Sequence, residues 1–197
     1  TSLRDVGMAE GRIFDQATLD RADQELRRQY LARGYYGVKI KTIATPLERN
    51  RVRITINVDE GRASSIASIR FTGNRLFDAD ELLDQMQLGM PNWFSWYTKR
   101  DLYSREKLAA DLETIRSFYM NQGYLDFKID SVQVSIAPNK SDVYITINMT
   151  EGEKYTIASA KLTGDLLGID EELNKLLTLK AGEIYSAEQV NNVSTAL

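Results

Sequence analysis

The sequence predicts an α+β fold made of tandem β-α-α-β-β units, each with two helices packed on a three-stranded mixed sheet. Three observations carry this. A unit of about ninety residues recurs along the chain. Within it, apolar residues at helical spacing lie between stretches of strict two-residue alternation. A Gly-Tyr pair closes the longer helix in two copies, at Gly34-Tyr35 and Gly123-Tyr124.

The repeat is read from spacings. Gly34 and Gly123 stand 89 residues apart, as do Phe14 and Tyr103, Leu19 and Leu108, and Tyr30 and Tyr119. RVRITINVDEG (Arg51 to Gly61) answers DVYITINMTEG (Asp142 to Gly152), and SIASIRFTGN (Ser65 to Asn74) answers TIASAKLTGD (Thr156 to Asp165), both at a spacing of 91. GRIF at Gly11 returns as GEIY at Gly182. The expected domains are 1–62, lacking its opening; 63–152, complete; and 153–197, lacking its end. So divided, the chain reads as a slice of a longer array.

Within 63–152 the elements follow in order. Ala67, Ile69 and Phe71 alternate with polar neighbours and stop at Thr72-Gly73-Asn74, which predicts a short strand and a turn. Asp78 precedes Glu81 by three, a helix-start signature, and Leu82, Leu83 and Met86 line the helix that follows. Ser104 caps a longer helix with a stripe of Leu108, Leu112, Ile115 and Tyr119, ended by Gly123. Leu19, Leu26 and Tyr30 form the matching core stripe of the first copy. Two strands follow, about 125–136 and 142–150, joined at Pro138-Asn139-Lys140. The helices cover one sheet face and the other is solvated.

One strand breaks its own alternation. Leu125, Phe127 and Ile129 hold odd positions, whereas Val132, Val134 and Ile136 hold even ones. A one-residue slip turns every later side chain to the opposite face. A β-bulge across Asp130-Ser131 restores the register. The first copy flips at the same place: Val38 and Ile40, then Ile43, across Lys41-Thr42. Bulges favour sheet edges, so both strands are expected at edges. Such an edge either only twists over its helices or accepts a strand from another polypeptide. The candidate edge residues are Leu125, Phe127, Lys128, Ile129, Asp130, Ser131, Val132, Gln133 and Val134. A second edge comprises Val38, Lys39, Ile40, Lys41, Thr42 and Ile43.

Composition narrows the function. The 197 residues contain no cysteine and no histidine, which removes disulfides, thiolate chemistry, imidazole catalysis and the commonest metal ligand. Net charge is −3 and acids and bases are interleaved, so no nucleic-acid footprint is expected. No apolar run approaches the ~20 residues of a membrane-spanning helix. Acid pairs such as Asp59-Glu60 and Glu171-Glu172 sit at strand ends and helix starts, as solvated charges do. GRASS and GEKYT between them contain serines and a lysine, and a Ser-Lys hydrolase is the weak enzymatic alternative. No catalytic residue, metal site or cofactor is expected.

The Gly-Tyr after a helix, the TPLERNRV hairpin (Thr45 to Val52), the F-GN turn (Phe71, Gly73, Asn74) and the Glu-Gly closing each unit resemble POTRA, or polypeptide-transport-associated, domains. KLAADLETIRSFYMNQGYLDFKIDSVQVS (Lys107 to Ser135) resembles the third such domain of the outer-membrane protein assembly factors of Gram-negative bacteria. PNWFSWYTKRDLYSREKL (Pro91 to Leu108) supports that match. The resemblance covers essentially the whole chain: the larger part of a second domain, all of a third and the first half of a fourth. Two-partner secretion transporters and the translocation and assembly module share the domain type but fit the aromatic insertion less well.

The resemblance implies a periplasmic, non-enzymatic array in front of a membrane β-barrel that this chain does not include. It implies that the array receives unfolded outer-membrane proteins and docks accessory lipoproteins of an assembly complex. In the family the third domain's edge strand contacts the propeller lipoprotein BamB; by position this is Leu125 to Val134. A rigid spacer array is the rival reading. The loop Gly89 to Leu102 carries Trp93, Phe94, Trp96 and Tyr97, and the third copy makes the same connection with nine fewer residues. It is either a satellite core folded onto the helices or a partner-facing anchor. Half-built end copies also leave unpaired strands, for which a strand-paired or swapped dimer is the expected outlet.

Overall fold

The computed structural model describes residues 13–91, 100–164 and 170–196. They divide into two compact units. The first draws on Thr1–Ser68, Met90–Leu108 and Ser135–Tyr144; the second on Ile69–Gly89, Ala109–Val134 and Ile145–Leu197. The fold is α+β, in the order α1 (Gln16–Ala32), β1 (Lys39–Leu47), β2 (Arg51–Asp59), β3 (Ser65–Thr72), α2 (Ala79–Asp84), α3 (Arg105–Asn121), β4 (Lys128–Ile136), β5 (Asp142–Thr150), α4 (Asp170–Leu176) and α5 (Ala187–Ala196).

Helix α1 starts where Asp15 accepts from the backbone N–H groups of Ala17 and Thr18, at 3.2 and 3.1 Å, two donors no helical carbonyl serves. Of its predicted stripe Leu19 is buried, while Leu26 and Tyr30 are half-buried. Strands β1 and β2 pair antiparallel in one unbroken register, from Lys39 opposite Asp59 to Leu47 opposite Arg51. The bulge expected at Lys41-Thr42 is therefore absent. Thr42 keeps the inner position, half-buried, where its hydroxyl donates to Asp23 of α1 at 3.3 Å. A hydroxyl with a partner fills the place read as a phase break, and Ile43 faces outward, 40% exposed.

The hairpin turns through Arg49 and Asn50, both at positive φ (61° and 53°). Two consecutive left-handed residues make a turn that matches strand twist but disfavours any side chain larger than asparagine's. Arg49→Gly is therefore expected to raise the unfolding free energy by roughly 1 kcal/mol, read as a shift of the urea midpoint. A null or lower midpoint contradicts the strain argument.

The second sheet has the order β3-β5-β4, with β5 central. Val143, Ile145, Ile147 and Met149 of β5 are buried, and Tyr144 on the opposite face is 47% exposed. One face is thus covered and the other open, as alternation requires. In β3 the inner residues are Ile66, Ile69 and Phe71, all buried, whereas Ala67 is exposed. The expected alternation through Ala67 fails because the strand changes partner at its start. There Ile66 N–H donates to Asp101 O (2.7 Å) and Ser65 bridges Leu102.

Helices α2 and α3 begin where expected. Asp78 accepts from Glu81 N–H at 2.9 Å and Ser104 Oγ from Lys107 N–H at 3.4 Å. Helix α3 buries Leu108, Ile115 and Tyr119. The Tyr119 ring stacks on Phe127 with centroids 4.0 Å apart and meets Phe77 edge-on at 5.1 Å.

In 153–164 the β3-like segment forms no strand, only a bridge from Thr156 to Ile184. The expected strand is missing because no described strand lies beside it to complete a ladder. The two Gly-Tyr positions nonetheless make the same backbone bonds. Ser64 N–H donates to Gly34 O and Tyr155 N–H to Gly123 O, each at 2.8 Å. Tyr103 N–H then donates to Ser64 O, and Tyr185 N–H to Tyr155 O.

Candidate functional site

The strand order makes β4 an edge, as expected. Ala137 N–H donates to Asp142 O at 2.9 Å, so the amides of Ser135 and Gln133 also face β5. Those of Val132, Val134 and Ile136 face away, because amide direction alternates along an antiparallel strand. These outward groups are what an added strand would pair with.

The bulge in β4 is visible in its side chains. Ser131 Oγ accepts from Asn148 Nδ2 and Asp130 Oδ2 accepts from Thr150 Oγ1, both at 2.7 Å. Asn148 and Thr150 are alternate residues of β5 and share its open face. Asp130 and Ser131 are adjacent and must share that face too, which needs one extra residue in β4. Burial agrees: Ile129 and Val132 are half-buried on either side of the exposed Asp130 and Ser131. Lys128 Nζ lies 3.6 Å from Asp130 Oδ1, an ion pair open to solvent, so it places a charge of each sign at the rim without adding much stability.

Not every predicted residue is on the edge. Leu125, 38% exposed, lies in the turn before β4. Phe127 is 4% exposed beneath Tyr119, with its N–H closing the turn onto Tyr124 O. Val38 takes the same place in the first copy, buried ahead of β1 with its N–H on Tyr35 O. Of the candidate edge residues, those that lie within β4 are therefore Lys128 to Val134, and those within β1 are Lys39 to Ile43. Trp93, Phe94, Trp96 and Tyr97 lie outside the described residues.

Two buried carboxylates support the surroundings of this strand. Asp111, 1% exposed in α3, accepts from Gln87 N–H and Leu88 N–H at 2.8 and 2.9 Å. Glu151, after β5, accepts through one Oε from Tyr119 OH at 2.9 Å and Leu76 N–H at 3.1 Å. Burial first, and then the bond to Glu151, hold the Tyr119 hydroxyl well above its ordinary pKa. Sequence reading missed both because an acid on a helix or at a strand end usually reads as a solvated charge. The repeat itself held the signal: at the position of Asp111 the other copies have Ala22 and Val193, both buried. The Tyr–Glu pair recurs as Tyr30 OH donating to Glu60 at 2.7 Å. Among the described residues no group of His, Cys, Asp and Glu is placed to hold a metal ion, and no helix is long and apolar enough to cross a membrane.

Comparison with known proteins bears on the family and the fold. The POTRA family profile, described as surface antigen variable number repeat, matches residues 3–61 and 64–152. The chain is 35% identical over 193 residues to the outer membrane protein assembly factor BamA of Neisseria meningitidis serogroup B, covering 98% of this chain and 24% of that protein. It is 26% identical over 191 residues to BamA of Buchnera aphidicola, covering 96% and 31%. It thus spans about a quarter to a third of these relatives' length. The solved structure of POTRA domains 3–5 of Haemophilus influenzae BamA aligns with a TM-score of 0.55 at 20% identity, over 98% of this chain and 76% of that one, which supports the fold. With the family profile matched across both of its first two repeats, the chain belongs to the POTRA family.

Proposed function

We propose that this chain is a periplasmic, non-enzymatic segment of an outer-membrane protein that takes part in assembling membrane β-barrels. It comprises three POTRA repeats, 1–62, 63–152 and 153–197, corresponding to part of a second, all of a third and part of a fourth domain of a BamA-type factor. It receives unfolded outer-membrane proteins and docks an accessory lipoprotein by adding a strand along β4. The bulged edge position of β4 is the observation that carries this reading; the names of the relatives supply the assembly context.

The energetics suit a passing client. Each net backbone hydrogen bond is worth about 0.5–1.5 kcal/mol. A handful of them, less the entropy of ordering the guest strand, leaves roughly millimolar affinity. A folded lipoprotein presenting an ordered strand or loop binds more tightly.

Val134→Pro tests the edge. Its N–H faces away from β5, so proline removes an outward donor without breaking a β4–β5 bond. The variant is expected to keep its melting temperature and to lose at least about tenfold in affinity for an extended outer-membrane strand peptide, the effect of one or two lost bonds. Unchanged binding by a folded variant would favour the second reading, a spacer that only sets distances. The matched backbone bonds at Gly34 and Gly123 are the observation on that side.

A further inference from the structure

We propose that the open face of the β1–β2 hairpin is a second binding surface, selective for an extended polypeptide with carboxylates at alternate positions. It makes no use of the β4 edge.

The register puts the β1–β2 residue pairs on two faces in strict alternation. Ile40, Thr42, Ile54 and Ile56, all half-buried, mark the inner one. The outer face then carries Lys39, Lys41, Arg51 and Arg53, all exposed. Asp59, opposite Lys39, is the one acid on it. Lys41, Arg51 and Arg53 have no ion pair with a described residue. This happens in a chain of net charge −3, so the basic face is no sample of the average surface.

The middle repeat serves as an internal control. At the positions matching Lys39, Lys41, Arg51 and Arg53 it has Lys128, Asp130, Asp142 and Tyr144. The fold does not require cations there; the first repeat alone concentrates them.

Their arrangement selects the ligand. Levels along an outer face repeat every ~6.8 Å, two residues of strand rise. Four of the five levels carry a cation: Lys39, Lys41, then Arg53 opposite Thr45 and Arg51 opposite Leu47. Exposed Ile43 stands at the level between Lys41 and Arg53. A polypeptide in extended form repeats its same-side groups at the same ~6.8 Å. Carboxylates at every second position therefore meet a cation at nearly every level, and guanidinium forks match carboxylate geometry. An anionic bilayer supplies charge but no such linear period.

The test uses a fluorescein-labelled eleven-residue peptide alternating Glu and Thr, the same peptide with Gln for Glu, and vesicles of phosphatidylglycerol. Anisotropy is read at low salt, where the screening length exceeds about 20 Å. The Glu peptide is expected to bind at least about tenfold more tightly than the Gln peptide, the combined effect of several exposed ion pairs. The preference should vanish in Lys39→Gln/Lys41→Gln/Arg51→Gln/Arg53→Gln and persist in Lys128→Gln. If the quadruple variant does not melt cooperatively, Lys41→Gln/Arg53→Gln is read instead, with amide shifts on the wild type mapped to residues 39–59. Equal binding of the two peptides overturns the proposal. So does peptide binding that survives neutralisation, or vesicle binding lost on neutralisation with no Glu-peptide binding. Val134→Pro should leave this binding intact, which separates its failure from failure of the β4 reading.

Discussion

Gly73→Ala is expected to cost about 4 kcal/mol of stability and unfold much of the middle repeat. The glycine ends β3 at φ +94°, and a Cβ built there would lie 2.0 Å from the carbonyl oxygen of Met149 in β5. Neither effect alone is so large. A left-handed alanine costs about 1–2 kcal/mol, and a flexible neighbour could turn away from a methyl group. Here the neighbour is backbone of the central strand, so relief means parting β3 from β5. For a domain of this size the loss corresponds to a fall in melting temperature of roughly 15–30 °C. Gly182→Ala is the control: its φ is +86° and nothing lies within 4 Å of its Cβ position. It should show only the conformational cost. If both variants melt alike, the close approach to Met149 contributes nothing.

The same glycine shows what the sequence makes legible. Thr72-Gly73-Asn74 reads as the end of a strand, and it is one. Asp78 and Ser104 read as caps and act as caps, because capping is a local matter of an acceptor meeting an N–H three residues on. Non-local choices were harder. Phase breaks in β4 and β1 look alike in one dimension. In β4 two exposed polar residues, Asp130 and Ser131, take partners from Asn148 and Thr150, and the strand bulges. In β1 Thr42 finds Asp23 on the helix above it, and the register runs on. Only the partner distinguishes a polar residue that is tolerated inside from one that must be turned out.

The candidate site divides in the same way. The edge position of β4 was legible from alternation and repeat order. That Phe127 and Val38 belong to the core was not, since an aromatic or valine at a strand start reads equally as wall or as surface. Taken one copy at a time, Asp111 and Glu151 read as solvated acids, because their partners are backbone amides of Gln87, Leu88 and Leu76, distant in sequence; only comparison between the copies marks the position of Asp111 as inward. The β3-like segment at 156–163 shows that a strand pattern is a capacity and not a structure. With no described strand beside it, a sequence close to that of β3 stays unpaired.

The Tyr–Glu pair offers the second large effect and a comparison the repeat makes possible. Tyr119→Ala is expected to cost about 3–5 kcal/mol, because it deletes a fully buried ring stacked on Phe127 and leaves a cavity. Tyr119→Phe keeps the ring and removes only the hydroxyl, for about 1–3 kcal/mol; Glu151 retains Leu76 N–H as a partner. Tyr30→Phe removes the equivalent bond to Glu60, which is open to solvent although the ring is half-buried, so water replaces it and the cost should be under about 1 kcal/mol. The alkaline limb of stability gives a separate sign. The Tyr119 pKa is raised from 10.0 in the folded state, by burial and by Glu151. Its contribution is therefore complete below pH 10.0 and is lost as the pH rises above it, where the unfolded chain ionises first. Urea midpoints of the wild type should fall as the pH rises above 10.0, and those of Tyr119→Phe should fall less. Equal costs for Tyr119→Phe and Tyr30→Phe, with parallel alkaline limbs, would show that the repeated bond matters only as geometry and that its burial in the middle repeat adds nothing.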